Sequence, residues 1–278
     1  MGRLVLGTAQ WGAGYGVTSQ VTRIADAELA RIMKVAVEAG ITAVDTAPVY
    51  GDAQSRLRPY APHLEITTKV PGGDPAAIAG LIEQSLDALG QAQVQRVLLH
   101  DWDELDDATA RAAARALEAA RQAGLIREAG VSIYEAEAIE RAIEIFDRLD
   151  AIQVPANALD RRLEVASALA EARSRGVRIA VRSVFLQGLL AGPSTTELAE
   201  HPAVLAFHAW AEQTGRSPLA AALDHARAIA WAEEIVVGVT NASELTEIIT
   251  ATQNEPNLAP DAFASTDINL IDPRRWSR

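Results

Sequence analysis

Short runs of β-branched and aliphatic residues recur along this chain. Each ends in a polar residue and is followed by a stretch whose apolar residues have helical spacing. The runs occupy positions 4–6, 42–44, 65–68, 94–99, 128–131, 151–154, 177–181 and 235–237, eight in all. Between them, Leu29, Ile32, Met33, Ala36 and Val37 share one helical face, and Gly40 stands where a helix end favours left-handed backbone. Ile78, Leu81, Ile82, Leu86 and Leu89 repeat the pattern before Gly90, and Asp106 or Asp107 can cap the Ala-rich helix that runs toward Gly124. The stretch 194–230 is longer than one helix needs and is predicted to hold two, with 252–278 as a C-terminal tail. Alternating strands and helices imply βαβ units and a parallel sheet. Eight such units favour closure over an open sheet, so the expected fold is a single α/β domain spanning 1–278, a (β/α)8 barrel of TIM type.

Composition narrows the partners. The 278 residues carry a formal charge of −12, a surface expected to repel nucleic-acid phosphates and anionic membranes. There is no cysteine, which removes thiol catalysis, disulfide scaffolds and thiolate metal sites. His63, His201, His208 and His225 show no metal-ligand spacing, so no metal is expected. No apolar run approaches the roughly 18 residues of a membrane span, and no signal-peptide pattern opens the chain, so a cytoplasmic location is expected. Of the 25 basic residues only Lys34 and Lys69 are lysines.

In barrels of this kind the chemistry gathers at the C-terminal ends of the strands. Asp45, Lys69, His100 and Ser132 follow the second to fifth runs, Gln153 lies within the sixth, and Arg182 and Ser183 follow the seventh. Taken singly, such an Asp is often a helix cap and such a His a buried structural residue. Asp, Lys and His on three consecutive strands are harder to dismiss, because neighbouring strands lie about 4.8 Å apart and open on one mouth. A lysine there also suits Schiff-base chemistry, which makes an aldolase acting through Lys69 the rival reading. No Gly-x-Gly-x-x-Gly fingerprint follows the first run; the glycines at 12, 14 and 16 are too loosely spaced.

The segment Gly40-Ile-Thr-Ala-Val-Asp-Thr-Ala-Pro-Val-Tyr-Gly51 resembles the signature of the aldo-keto reductases, and Thr68-Lys69 and Leu98-Leu-His100 resemble its next landmarks. Gly130-Val-Ser132, the stretch from Ile152 to Asn157, that from Arg182 to Leu190, Val236–Val239 and the terminal Ile271-Asp-Pro-Arg-Arg-Trp276 extend the likeness along essentially the whole chain. The opening Leu6-Gly-Thr-Ala-Gln-Trp-Gly and the Arg182 segment are most similar to a short bacterial branch associated with sugar and secondary-metabolite pathways.

The resemblance implies an oxidoreductase that moves a hydride between NAD(P)H and a small-molecule carbonyl or alcohol. It implies Asp45, Tyr50, Lys69 and His100 as the catalytic set. A phenol has a pKa of about 10, and an ammonium within about 4–6 Å stabilises its phenolate. On this reading Tyr50 is the proton donor, Lys69 its cation, Asp45 the anchor of Lys69, and His100 the group that orients the substrate oxygen. Ser132 and Gln153 match positions that bind the nicotinamide carboxamide, with Asn157 supporting that strand; Ile133 stands where the family often has a polar Asn. Arg182 occupies a position where many members stack a Tyr on the nicotinamide, and a planar guanidinium can stack instead, an ion pair with Asp160 being the alternative. Ser183, Gly188 and Gly192 fit a pyrophosphate loop, and Gly238, Thr240, Asn241 and Glu244 fit the phosphate end after strand eight. Trp11 and Trp102 are read as walls of the substrate pocket, with core packing as the alternative. A non-catalytic cofactor-sensing subunit on the same scaffold is the remaining rival. Because no Lys or Arg occurs between Arg227 and Arg274, a clamp for a 2′-phosphate is missing and the expectation leans toward NAD(H). Neutral donors at Thr240, Asn241 and Ser243, or a fold-back of Arg274 or Arg275, are the ways around that lean.

Overall fold

The computed structural model describes residues 2–12, 23–164 and 166–276. Of the glycine run at 12–16, only Gly12 falls within them. Eight strands form β1 (Arg3–Gly7), β2 (Ala43–Asp45), β3 (Glu65–Val70), β4 (Val94–Leu99), β5 (Ile126–Ser132), β6 (Ala151–Pro155), β7 (Arg178–Arg182) and β8 (Glu234–Gly238). Each overlaps one of the runs in the sequence. They pair in sequence order, all parallel, and β1 closes on β8 with Arg3 opposite Glu234 and Gly7 opposite Gly238. The fold is a closed (β/α)8 barrel.

Helices cover the outer face, which is why the strands are buried nearly from end to end and read as short apolar runs. The helix Asp26–Glu38 buries Leu29, Ile32, Met33 and Ala36, while Val37 of the predicted face stays exposed. The Asp106 carboxylate accepts the Thr109 amide at 2.8 Å and caps the helix Asp107–Gln122. Gly90 ends the helix Ile78–Leu89 in left-handed backbone at φ +66°, with the Gln91 amide reaching back to Leu86 O at 3.0 Å. The 194–230 stretch holds two helices, Pro202–Gln213 and Pro218–Ala228. After position 251 the chain lies against the barrel: Ala259 O accepts from Arg161 at 2.6 Å, the Ser265 amide donates to Leu159 O at 2.8 Å, and Leu270 and Ile271 are buried.

The lower half of the barrel holds a charge network that periodicity does not announce. Arg96, buried in β4, pairs with Glu234 at 2.7 Å and Glu128 at 2.8 Å. Arg3 joins Glu234 at 2.8 Å and Glu65 at 2.7 Å, and Arg178 joins Glu128 at 2.9 Å. Burial alone would raise the Glu234 and Glu128 carboxyls, but their arginine partners outweigh it and hold both below the usual carboxylate range. Since its members come from β1, β3, β4, β5, β7 and β8, this network ties the strands together toward the N-terminal face and leaves the opposite face to the chemistry.

Candidate active site

Register brings the strand-end residues together. Asp45 of β2 lies opposite Gly7 and Thr67, Lys69 of β3 opposite Leu98, and Ser132 of β5 opposite Gln153 of β6. The turn after β2, closed by the Tyr50 amide on Ala47 O at 3.0 Å, swings Tyr50 back over the barrel mouth. Lys69 is buried, and its ammonium is ion-paired with Asp45. The same Nζ donates to Thr46 O at 3.4 Å and lies 3.3 Å from the Tyr50 hydroxyl. Gln153 Nε2 donates to the other Asp45 oxygen at 2.8 Å. Burial alone would push the Lys69 ammonium down, but the Asp45 carboxylate and Tyr50 outweigh it and hold it above the ordinary lysine value. The ion pair with Asp45 favours the charged ammonium, whereas a Schiff-base nucleophile needs the free amine.

His100 follows β4, its amide bonded to Val70 O at 2.9 Å. Burial first, then the Lys69 and Arg182 cations, lower its pKa to about 4 against a smaller opposing pull from Asp45. The ring is neutral at neutral pH. An unfolded chain takes up this proton below about pH 6.5 and the folded one only near 4. This group alone therefore makes stability fall as pH drops through that window, by at most on the order of 3 kcal/mol, with no further loss below it. An NMR titration should place the His100 midpoint near 4; a midpoint near 6.5 would show a solvated ring.

A cavity of about 520 Å³ opens at this end of the barrel. Asp45, Tyr50 and Gln153 line one part, Arg182, Ser183, Gly188 and Gly192 another, and Gly238, Thr240 and Glu244 a third. Lys69 and Ser132 lie buried behind its wall. Three buried polar atoms at the wall have no hydrogen-bond partner among the described residues: Gln153 Oε1, Thr8 Oγ1 and Gln10 Oε1. Gln10 also lines the cavity, and its amide packs so closely on Gly238 that a Cβ there would meet Gln10 Oε1 at 2.6 Å. Thr8 and Gln10 were not singled out by motif, although Thr8 directly follows a strand and the strand-end rule reaches it.

Several expectations are changed by the structure. Trp11 and Trp102 are fully buried and line no part of this cavity. The Trp11 indole donates to Val239 O at 3.2 Å; that of Trp102 donates to Ala138 O at 3.0 Å while its ring packs on Phe146. Both are core residues. Asp160 pairs with Arg162 at 2.9 Å, not with Arg182. Arg182 instead donates to Ser132 Oγ at 3.4 Å and Ile133 O at 3.1 Å and stacks on the Tyr134 ring, 4.0 Å from its centroid. Asn157 braces the segment after β7, with Nδ2 on Ser183 O at 3.1 Å and Oδ1 accepting the Leu159 and Asp160 amides. That segment turns through left-handed backbone at Ser183, Leu186 and Gln187, none of them glycine. Such residues cost of order 1–3 kcal/mol each and cluster at ligand sites.

At the far end of the cavity, two of the three neutral donors expected for phosphate, Thr240 and Asn241, are already in use, while Ser243 is exposed. Glu244 accepts the Thr240 amide and hydroxyl, each at 2.7 Å, and Asn241 Nδ2 at 2.8 Å. Asn241 caps the helix Ala242–Ala251 through the Glu244 amide, and Glu28 takes the Ala242 amide at 2.8 Å. Two carboxylates thus occupy the helix N-terminus where an anion would otherwise sit. Arg274 folds back toward Tyr134 rather than toward this end.

Residues 3–269 match the profile of the aldo/keto reductase family. The chain belongs to that family. It is an oxidoreductase that uses a nicotinamide dinucleotide, NAD(P)H, to interconvert small-molecule carbonyls and alcohols, and the aldolase reading of Lys69 is set aside. No curated protein matches the sequence significantly. Similar solved structures include an aldo-keto reductase from Bacillus halodurans in its holo form, 20% identical over 98% of this chain and 95% of that one, with a TM-score of 0.77. A glycerol dehydrogenase from Gluconobacter oxydans is 22% identical over 91% and 87% of the two chains, with a TM-score of 0.70. Among the described residues no helix is long and apolar enough to cross a membrane, and no three His, Asp or Glu side chains gather as a metal site.

Proposed function

We propose that Tyr50 exchanges the proton with the substrate oxygen, Lys69 stabilises its phenolate, Asp45 holds Lys69, and neutral His100 donates a hydrogen bond that orients the carbonyl. The observation that carries this is the line from Gln153 through Asp45 and Lys69 to the Tyr50 hydroxyl, ending in the cavity. Such an array delivers one proton from a fixed direction, the partner of hydride transfer in carbonyl reduction. The dinucleotide supplies the hydride when bound, or takes it up in alcohol oxidation.

The wall suits a nicotinamide carboxamide by polarity. Gln153 has committed its amide N–H to Asp45, so its unpartnered Oε1 is an acceptor for the carboxamide N–H. Arg182 donates to Ser132 Oγ, which leaves the Ser132 proton to serve the carboxamide oxygen. Ile133 offers no polar side chain, and its carbonyl already accepts Arg182. The turns from Ser183 to Gly188, with Gly192, hold the pyrophosphate.

NAD(H) is the proposed cofactor. Around Gly238 and Thr240 the cavity meets Glu244 and Glu247, and the helix N-terminus is taken by Glu244 and Glu28. A 2′-phosphate faces the Glu244 and Glu247 carboxylates there, and Arg31, which reaches this end, is already ion-paired with Glu28, whereas a ribose hydroxyl can donate to Glu244. Dissociation constants for NADH and NADPH measured side by side should favour NADH several-fold; tenfold tighter NADPH would overturn the assignment. Turnover over a panel of sugar-derived and simple carbonyls tests the substrate class suggested by the opening segment.

A further inference from the structure

The last described residues reach the barrel mouth through one side chain. Asp272, fully buried, grips the Arg274 guanidinium from the side, at 2.9 Å to Nε and 2.6 Å to Nη2, and accepts its backbone amide at 3.1 Å. Glu135 accepts a further bond from Nη2 at 3.2 Å. Held this way, the Arg274 guanidinium lies 3.7 Å from the centroid of Tyr134, and Arg182 lies 4.0 Å from the same centroid. Two guanidinium groups so close to one ring centre would overlap on a single face, so they take opposite faces and Tyr134 is sandwiched between them. Asp103, from the segment after β4, fixes the ring's backbone by accepting the Tyr134 amide at 2.9 Å and the Glu135 amide at 3.2 Å.

We propose that Tyr134 and Arg274 are positioning residues for cofactor binding, acting through Arg182; this rests on the reading that Arg182 and Ser132 meet the nicotinamide end of the dinucleotide. A ring stack helps set the plane of the Arg182 guanidinium, alongside its hydrogen bonds to Ile133 O at 3.1 Å and, longer, to Ser132 Oγ and Ser183 Oγ at 3.4 and 3.3 Å. The bonds that fix Arg274 to Asp272 are shorter and start from a buried carboxylate. Rigidity therefore passes from the C-terminal segment through Tyr134 to Arg182, and from Arg182 to the Ser132 hydroxyl. Without Arg274 one face of the Tyr134 ring opens to solvent and the stack loosens.

The test is a double-mutant cycle on Arg182→Met and Arg274→Met, read as NADH dissociation constant, cofactor KM and kcat, with melting curves alongside. Arg274→Met should weaken NADH by about three- to tenfold, mostly in cofactor KM, and should add little in the Arg182→Met background, because both remove one stack. Tyr134→Leu should reproduce the loss, while Tyr134→Phe, which keeps the ring, should not. Should Arg274→Met fail to fold, the Tyr134 pair carries the test alone. Additive losses, or a lowered melting temperature with NADH affinity unchanged, would overturn the proposal. Native NADH affinity in Arg182→Met would instead strike down the underlying assignment of Arg182, a failure distinguishable because it needs only that single variant.

Discussion

Replacing Tyr50 with phenylalanine is expected to lower kcat at least about 10²-fold while leaving NADH affinity within about twofold. The substitution removes one oxygen and keeps the ring, so the packing of this half-buried side chain is preserved. The deleted hydroxyl faces Lys69 Nζ at 3.3 Å and is the end of the line that begins at Gln153. It is not among the groups proposed to hold the dinucleotide, so the loss should appear in turnover and not in binding. Steady-state kinetics and a fluorescence titration with NADH check both halves. Near-normal turnover by this variant would remove Tyr50 from the mechanism.

Lys69→Met should cost as much activity and, unlike the Tyr50 variant, some stability. The ammonium is the cation beside the Tyr50 hydroxyl, and it also balances a buried Asp45. Removing one member of a buried pair costs roughly 3–5 kcal/mol when the other stays charged. Protonation of Asp45 offsets part of this, so adding Asp45→Asn to Lys69→Met should recover part of the melting temperature and no activity. Lys69→Arg should not rescue turnover. A guanidinium is broad and planar, and this site encloses a compact ammonium between Asp45, Thr46 O and Tyr50. Because Tyr50 and Lys69 act as one unit, the double variant should be about as inactive as either single one. Equal turnover with Arg and Lys at position 69 would show that charge alone suffices.

Much of the fold and part of the candidate site were legible from local pattern. A parallel strand covered on both faces needs a short apolar run, and the polar residue that ends it points to the mouth. Asp45, Lys69 and His100 could therefore be picked out before any contact was known, with Tyr50 added by its motif. The same rule applied to the first strand reaches Thr8, whose buried hydroxyl lacks a partner among the described residues. Residue type misled where it says nothing about side. Trp11 and Trp102 follow the ends of β1 and β4, as pocket walls would, yet each turns inward because its indole N–H finds a backbone carbonyl there.

The sequence by itself determined the order of strands and helices, the strand ends that carry polar chemistry, and the absence of Lys and Arg between Arg227 and Arg274. All of these depend on spacing within a few turns or a single strand, where backbone geometry alone decides which side chains share a face. Only the tertiary structure decided who meets whom across the barrel. Arg96 pairs with Glu234 from 138 positions away, and Glu28 takes the Ala242 amide from 214 positions away. Arg182 gives up Asp160 for Tyr134, and Arg274 arrives on the other face of that ring. Contacts of this range carry no local signature. They exist because closure of the eight strands into a cylinder brings residues remote in the chain to the same end of the barrel, where a buried charge must find its partner or be neutralised.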